Sequence, residues 1–178
     1  DDSSWSAQIP ALSAKYRVIT LDLPGHGKSA APADGKFSMQ NFARAVEAVR
    51  AEAGVDRVVV VGHSMGTLVA LEAASRAPTR ATRLVLVATA YPMKVSEALF
   101  ATAREQPLRA IDMVNAFSHS TIAAKPAFPG PGAWLHGSNR ALMRRMQDGV
   151  HDRNLFEHDF RLCDAYANGL AAAAKVGC

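Results

Sequence analysis

Three short runs of the chain are apolar almost without interruption and rich in β-branched residues: YRVITLDL at 16–23, RVVVVG at 57–62 and RLVLVAT at 83–89. Such runs predict strands. Continuous rather than alternating apolarity predicts burial on both faces, the pattern of a parallel sheet. Between the first two runs, Met39, Phe42, Val46, Val49 and Ala53 recur at helical spacing, with Ser38 placed to cap the start and Gly54 to close the end. Between the second and third, residues 66–77 read as a helix stopped by Pro78. Trp5, Ile9 and Leu12 also share helical spacing, against which Pro10 counts. After residue 90 no clear strand is legible. Segments 95–117, 138–150 and 154–175 read as helices, and KPAFPGPGAW at 125–134 as an irregular loop. The pattern predicts an α/β core over 1–90 and a mainly helical region over 91–178, joined near TAYPM (89–93).

Glycine-containing turns follow the first two predicted strands. In LDLPGHGKSA (21–30), Gly27-Lys28-Ser29 has the closing letters of a phosphate-binding loop, G-x-x-x-x-G-K-[ST]. The position five before Gly27 is Asp22, not glycine, and Ser29 leads into AAPADGK rather than a helix, so both requirements fail. The second turn is different. In VVVVGHSMGTLVALEAA (58–74) an apolar strand runs through Gly62-His63-Ser64-Met65-Gly66 directly into an apolar helix. This is the context that the G-x-S-x-G nucleophile elbow requires. The sharp turn strains the serine backbone and lifts its hydroxyl off the sheet, while the flanking glycines let strand and helix approach. Ser64 then stands at the positive end of a helix, and the Met65 N–H is the natural oxyanion donor. Chance alone yields such a pattern in roughly one chain in twenty of this length. The strand and helix flanks make accident a poor explanation.

With DLPGHGKS (22–29) and GHSMG (62–66) both present, the chain resembles the capped serine-nucleophile branch of the α/β-hydrolase superfamily, whose members carry D-x-P-G-x-G-x-S and G-H-S-M-G after successive strands. The resemblance is strong over 16–90 and weaker over the rest. It implies a mostly parallel sheet with flanking helices and a helical cap, and an activity like that of carboxylesterases similar to the pimeloyl-carrier-protein methyl esterase. Lactonases, carbon-carbon bond hydrolases and cofactor-free perhydrolases share the pattern. Haloalkane dehalogenases and epoxide hydrolases place aspartate at the elbow, which Ser64 argues against. The expected chemistry is hydrolysis of a small or medium ester-like substrate through an acyl-enzyme, with acyl transfer, perhydrolysis or carbon-carbon cleavage as alternatives. A scaffold that binds ligand without turnover is a further alternative, against which the intact elbow counts.

In the superfamily the triad follows the chain order Ser, Asp or Glu, His. No acid or histidine matches the later motifs, and the turn that gives the second oxyanion N–H would precede Asp1. The resemblance thus implies a partial fold, truncated at both ends, with several strands missing. It also implies that a missing strand separates 16–22 from 57–61. Of the six histidines, His26 and His63 belong to the two loop motifs, where relatives use such residues to line or brace the site. His119, His136, His151 and His158 carry no motif. Tyr91, Phe117, Trp134 and His136, with His63, are the candidate substrate-binding residues, although aromatic side chains in these segments fit a helical core equally well.

Composition changes little. Apolar residues make up 49% of 178, enough for one globular core. Net charge is +4, with cations scattered among nearly as many acids, and Arg140, Arg144 and Arg145 read as a solvated helix face. Nucleic acid is therefore not an expected partner. No apolar run is long enough for a membrane span. Cys163 and Cys178 form no framework, and His151-Asp152 and His158-Asp159 lack the i, i+4 histidine spacing of a helical metal site. No metal or organic cofactor is implied. The lack of a leader points to the cytoplasm, an inference weakened by the expected missing N-terminus.

Overall fold

The computed structural model describes residues 1–118 and 135–178. His119, Trp134 and the loop at 125–134 lie outside the described residues. A 3-10 turn at Asp2–Trp5 precedes α1 (Ile9–Ser13), α2 (Met39–Glu52), β1 (Val58–His63), α3 (Met65–Arg76) and β2 (Ala81–Val87). Then come α4 (Glu97–Glu105), α5 (Pro107–Phe117), α6 (Leu135–Asp148), α7 (Leu155–Ala165) and α8 (Gly169–Ala173). The chain forms two compact units, one of residues 19–95 with 159–178 and one of residues 1–18 with 96–158.

The first unit holds the sheet. Strands β1 and β2 are parallel neighbours, with Val61 opposite Val85 and His63 opposite Val87. Helix α3 packs on both strands and α2 packs on α3. The helix α2 starts where Ser38 accepts the Asn41 N–H at 3.1 Å, the cap expected from the sequence. Its Met39 and Phe42 join Leu68, Val69, Cys163 and Tyr166 in one buried cluster. Fully burying a side chain such as Phe42 contributes on the order of 2–3 kcal/mol. On the other face of the ladder Val59, Val61, Val85 and Val87 are exposed, so these strands are not buried on both faces as their unbroken apolarity predicted.

The run at 16–23 also departs from expectation. Among the described residues the sheet contains β1 and β2 alone, and 16–23 has no place in it. A strand is defined by its ladder, and an apolar β-branched run without one stays unassigned.

The second unit is helical. The expected helix over 95–117 is two helices, because Pro107 opens a new first turn and holds Gln106 at φ −140°, ψ 70°. Phe100, Ala103, Ala110, Ile111 and Leu155 are buried. Asn115 donates to the His136 carbonyl at 2.9 Å and accepts from Asn139 at 3.0 Å. Pro10 is accommodated in the first turn of α1, where its missing N–H costs no helical bond.

Within the first unit the expected helix at 154–175 also breaks, after Ala165, and the break has a partner. Glu72 of α3 is only 3% exposed. Its Oε2 accepts from the Tyr166 hydroxyl at 2.8 Å and from Asn168 Nδ2 at 2.9 Å, while Arg76 Nε donates to Oε1 at 3.2 Å. Burial pushes the Glu72 pKa up, but the bonds from Asn168 and Tyr166 and the Arg76 charge outweigh it and hold the carboxyl below its usual range. Residues 166–168 leave helical geometry to bind a charge that would otherwise be costly to bury.

Two predictions concern this scaffold. A carboxyl whose pKa is lowered by folding stabilises above its unfolded pKa and loses that stabilisation as pH falls through the folded one. The urea midpoint is therefore expected to drop as pH is lowered below about 4.5, and Glu72→Gln should flatten that dependence while costing on the order of 1–3 kcal/mol at neutral pH. The second concerns close approach. A β-carbon on Gly62 would lie 2.2 Å from the Gly66 carbonyl oxygen, whereas one on Gly66 meets nothing within 4 Å. Gly62→Ala should destabilise by about 2 kcal/mol or more, and Gly66→Ala should be neutral or stabilising, as calorimetry of the two variants would show.

Candidate functional site

Strand β1 ends at His63 and α3 begins at Met65, which leaves one residue to reverse from extended to helical geometry. That residue is Ser64, at φ 51° and ψ −125°. Positive φ in a side chain with a β-carbon is strained, on the order of 1–3 kcal/mol, and surrounding bonds must impose it. Here they do. The Ser64 N–H donates to the Val87 carbonyl at 3.0 Å, extending the parallel ladder by one step, and the Ser64 carbonyl accepts the Thr67 N–H at 2.8 Å. The absence of a β-carbon on Gly62 lets strand and helix meet this closely.

The side chain that results is uncommitted. Ser64 occupies the N-cap position, yet its hydroxyl caps nothing, and it is exposed. The Met65 side chain packs against the apolar cluster. Its N–H, in the first turn of α3, has no carbonyl behind it in the helix, and the helix dipole adds a partial positive charge there. An exposed hydroxyl beside a free N–H at a helix start can attack a carbonyl and bind the oxyanion that forms.

The glycine loop at 22–29 has a different use from phosphate binding. The Asp22 carboxylate accepts the Lys28 N–H at 2.8 Å, and the Asp22 carbonyl accepts the Ser29 hydroxyl at 2.8 Å. A β-carbon on Gly27, at φ 53°, would lie 2.3 Å from Asp22 Oδ2. An internal carboxylate therefore fills the place that a bound anion would need. His26, 7% exposed, has Nδ1 3.1 Å from the Pro24 carbonyl and Nε2 2.8 Å from Asp159 Oδ2, with its ring edge-on to Phe42. This is a histidine–carboxylate pair, but both ring nitrogens are occupied. A general base must offer one nitrogen to the nucleophile, so His26 braces the loop.

The other candidates are scattered. His63 is exposed opposite Val87 on the open face of the ladder. Tyr91 donates to the Ala167 carbonyl at 2.7 Å, stands edge-on to Tyr166 and lies against Gly169, which ties it to the 166–169 segment. Phe117 is 85% exposed at the end of α5, and His136 is half-buried in α6. Burial, with the nearby Asp159 and Asp164 charges, pushes the Cys163 thiol up to about 12, which leaves it inert. Among the described residues no cluster of three metal-ligating side chains occurs, and no helix is long and apolar enough to cross a membrane. Two residues that motif reading passed over touch the elbow. Thr67 Oγ1 donates to the Ser64 carbonyl at 2.6 Å, and Thr89 Oγ1 donates to Thr67 Oγ1 at 2.9 Å. The position of Thr67, directly after G-x-S-x-G, was the available signal.

Known proteins share this architecture. The putative carbamate hydrolase RutD of Klebsiella pneumoniae is 30% identical over 131 residues, covering 74% of this chain and 47% of its own. The dihydrolipoyllysine-residue acetyltransferase component of the acetoin cleaving system of Pseudomonas putida is 31% identical over 170 residues, covering 90% and 45%. The chain thus spans about half the length of the curated relatives it matches. Among solved structures, the esterase EaEST from Exiguobacterium antarcticum superposes with a TM-score of 0.76 over 99% of this chain and 66% of its own, at 17% identity, a likeness of fold. The family model for the alpha/beta hydrolase fold matches residues 2–129. With an elbow serine between a parallel strand and its helix, and a family match over most of its length, the chain belongs to the α/β-hydrolase fold family.

Proposed function

We propose that the protein is a serine hydrolase that cleaves a carboxylic ester, or a similarly activated carbonyl, through an acyl-enzyme on Ser64. The observation that carries this is the strained Ser64 backbone, at φ 51°, which presents an uncommitted hydroxyl beside the uncommitted Met65 N–H. A scaffold that only binds ligands has no use for that strain. Two of the relatives' names point the same way, since a carbamate hydrolase and an esterase both act at a carbonyl bearing a heteroatom leaving group, while the acetyltransferase name points to acyl transfer at such a carbonyl.

In this mechanism Ser64 Oγ attacks the substrate carbonyl as its proton passes to a histidine base. The tetrahedral oxyanion is held by the Met65 N–H. Collapse expels the alcohol, which takes the proton, and water then releases the acid by the same steps in reverse. One oxyanion donor is worth on the order of 3 kcal/mol when preorganised. His26 is not the base, because its nitrogens face Pro24 and Asp159.

The test is labelling with a fluorophosphonate probe together with hydrolysis of p-nitrophenyl esters, in the full-length protein and in Ser64→Ala. Loss of labelling and a fall in kcat of about a thousandfold or more is the expected result. Retained labelling in the variant would sink the assignment.

A further inference from the structure

We propose that Thr67 and Thr89 are positioning residues that aim the Met65 N–H at the oxyanion; this rests on Ser64 being the nucleophile. The bond directions are forced. A carbonyl oxygen can only accept, so the Thr67 hydroxyl at 2.6 Å must donate its one proton to the Ser64 carbonyl. Thr67 Oγ1 can then only accept from Thr89 Oγ1, at 2.9 Å. The result is a directed chain from Thr89 through Thr67 to the Ser64 carbonyl, in which each bond polarises the next.

The carbonyl at its end is half of the peptide that matters. Ser64 C=O and Met65 N–H belong to one planar unit and point in opposite directions. Fixing the oxygen fixes the line along which the N–H projects. The Thr67 N–H donates to the same oxygen at 2.8 Å, but backbone bonds at a helix end fray readily. The hydroxyl adds a second tether, and Thr89 anchors that hydroxyl to the segment following β2.

Back-bonding by a helical threonine is ordinary by itself, as Thr102 shows by donating to the Ala98 carbonyl at 2.7 Å. Thr67 differs in two respects. It is 1% exposed, and its oxygen has a donor from another element. The chain reaches that contact through Ala88, a non-glycine residue at φ 53°. Ser64 and Ala88 are the positive-φ non-glycine residues of the described chain, and the hydrogen-bonded threonines link the segments that hold them. Strained backbone on both sides of one hydrogen-bonded chain fits a device for holding the elbow peptide in a set direction.

The experiment uses the full-length protein with Thr67→Val, Thr67→Ser, Thr89→Val and the double valine variant, with Ser64→Ala alongside. The readouts are kcat and KM for p-nitrophenyl acetate, and the inhibition constant of phenylboronic acid, whose tetrahedral adduct needs the same N–H. Thr67→Val should lower kcat about tenfold and weaken the boronate similarly, with KM changed less than about twofold. Thr67→Ser should stay within about twofold of the parent, Thr89→Val should lose about threefold, and the double variant should match Thr67→Val because Thr89 acts only through Thr67. Unchanged kcat in both valine variants, or losses that multiply in the double variant, would overturn the proposal while leaving Ser64 as nucleophile. Hydrolysis that survives in Ser64→Ala would overturn both. Should Thr67→Val not fold, the exposed Thr89→Val decides the matter by the same kcat and boronate criteria.

Discussion

One peptide unit, between Ser64 and Met65, is where strand, helix and strain meet, and the proposed chemistry rests on it. Local preference opposes its geometry, since Ser64 is held at φ 51° with a β-carbon in place. The bonds that impose it come from three elements: the Val87 carbonyl at the end of β2, the Thr67 N–H and hydroxyl in α3, and the contact of Gly62 with the Gly66 backbone. The ladder, the helix and the glycine together place a hydroxyl and a free N–H side by side, and the proposed chemistry depends on that pairing.

Charge placement serves the same end. Buried polar groups in the unit that carries the elbow are paired with named partners: Glu72 with Tyr166, Asn168 and Arg76, and His26 with Asp159 and the Pro24 carbonyl. These pairs fasten the C-terminal segment to α3 and to the glycine loop. Burying them would be unfavourable without partners, and with partners they fix which surfaces meet. Ser64 stands apart from both networks, with its hydroxyl uncommitted.

Much of this was legible in the residues. The elbow could be read because its requirements are local: strand, glycine, serine, glycine and helix follow in unbroken order. Ser38 as a cap, and α2 behind it, were legible for the same reason. The run at 16–23 reads as a strand by composition, but a strand needs a neighbour that composition does not supply. Proline at 107 splits a helix that periodicity joined, and the pull of Glu72 on Tyr166 and Asn168 ends α7 where apolar spacing would continue it. Pairings such as His26 with Asp159, 133 residues apart, have no signature along the chain. Thr67 and Thr89 were hidden differently, because a threonine in a helix and one after a strand each look unremarkable until their oxygens are found 2.9 Å apart.

The most direct test of the central claim is a crystal structure of the full-length protein after reaction with an alkyl fluorophosphonate. The account predicts a covalent bond from phosphorus to Ser64 Oγ, with the phosphonyl oxygen about 2.7–3.1 Å from the Met65 nitrogen. An adduct on another residue, or a phosphonyl oxygen turned away from the Met65 N–H, would contradict it.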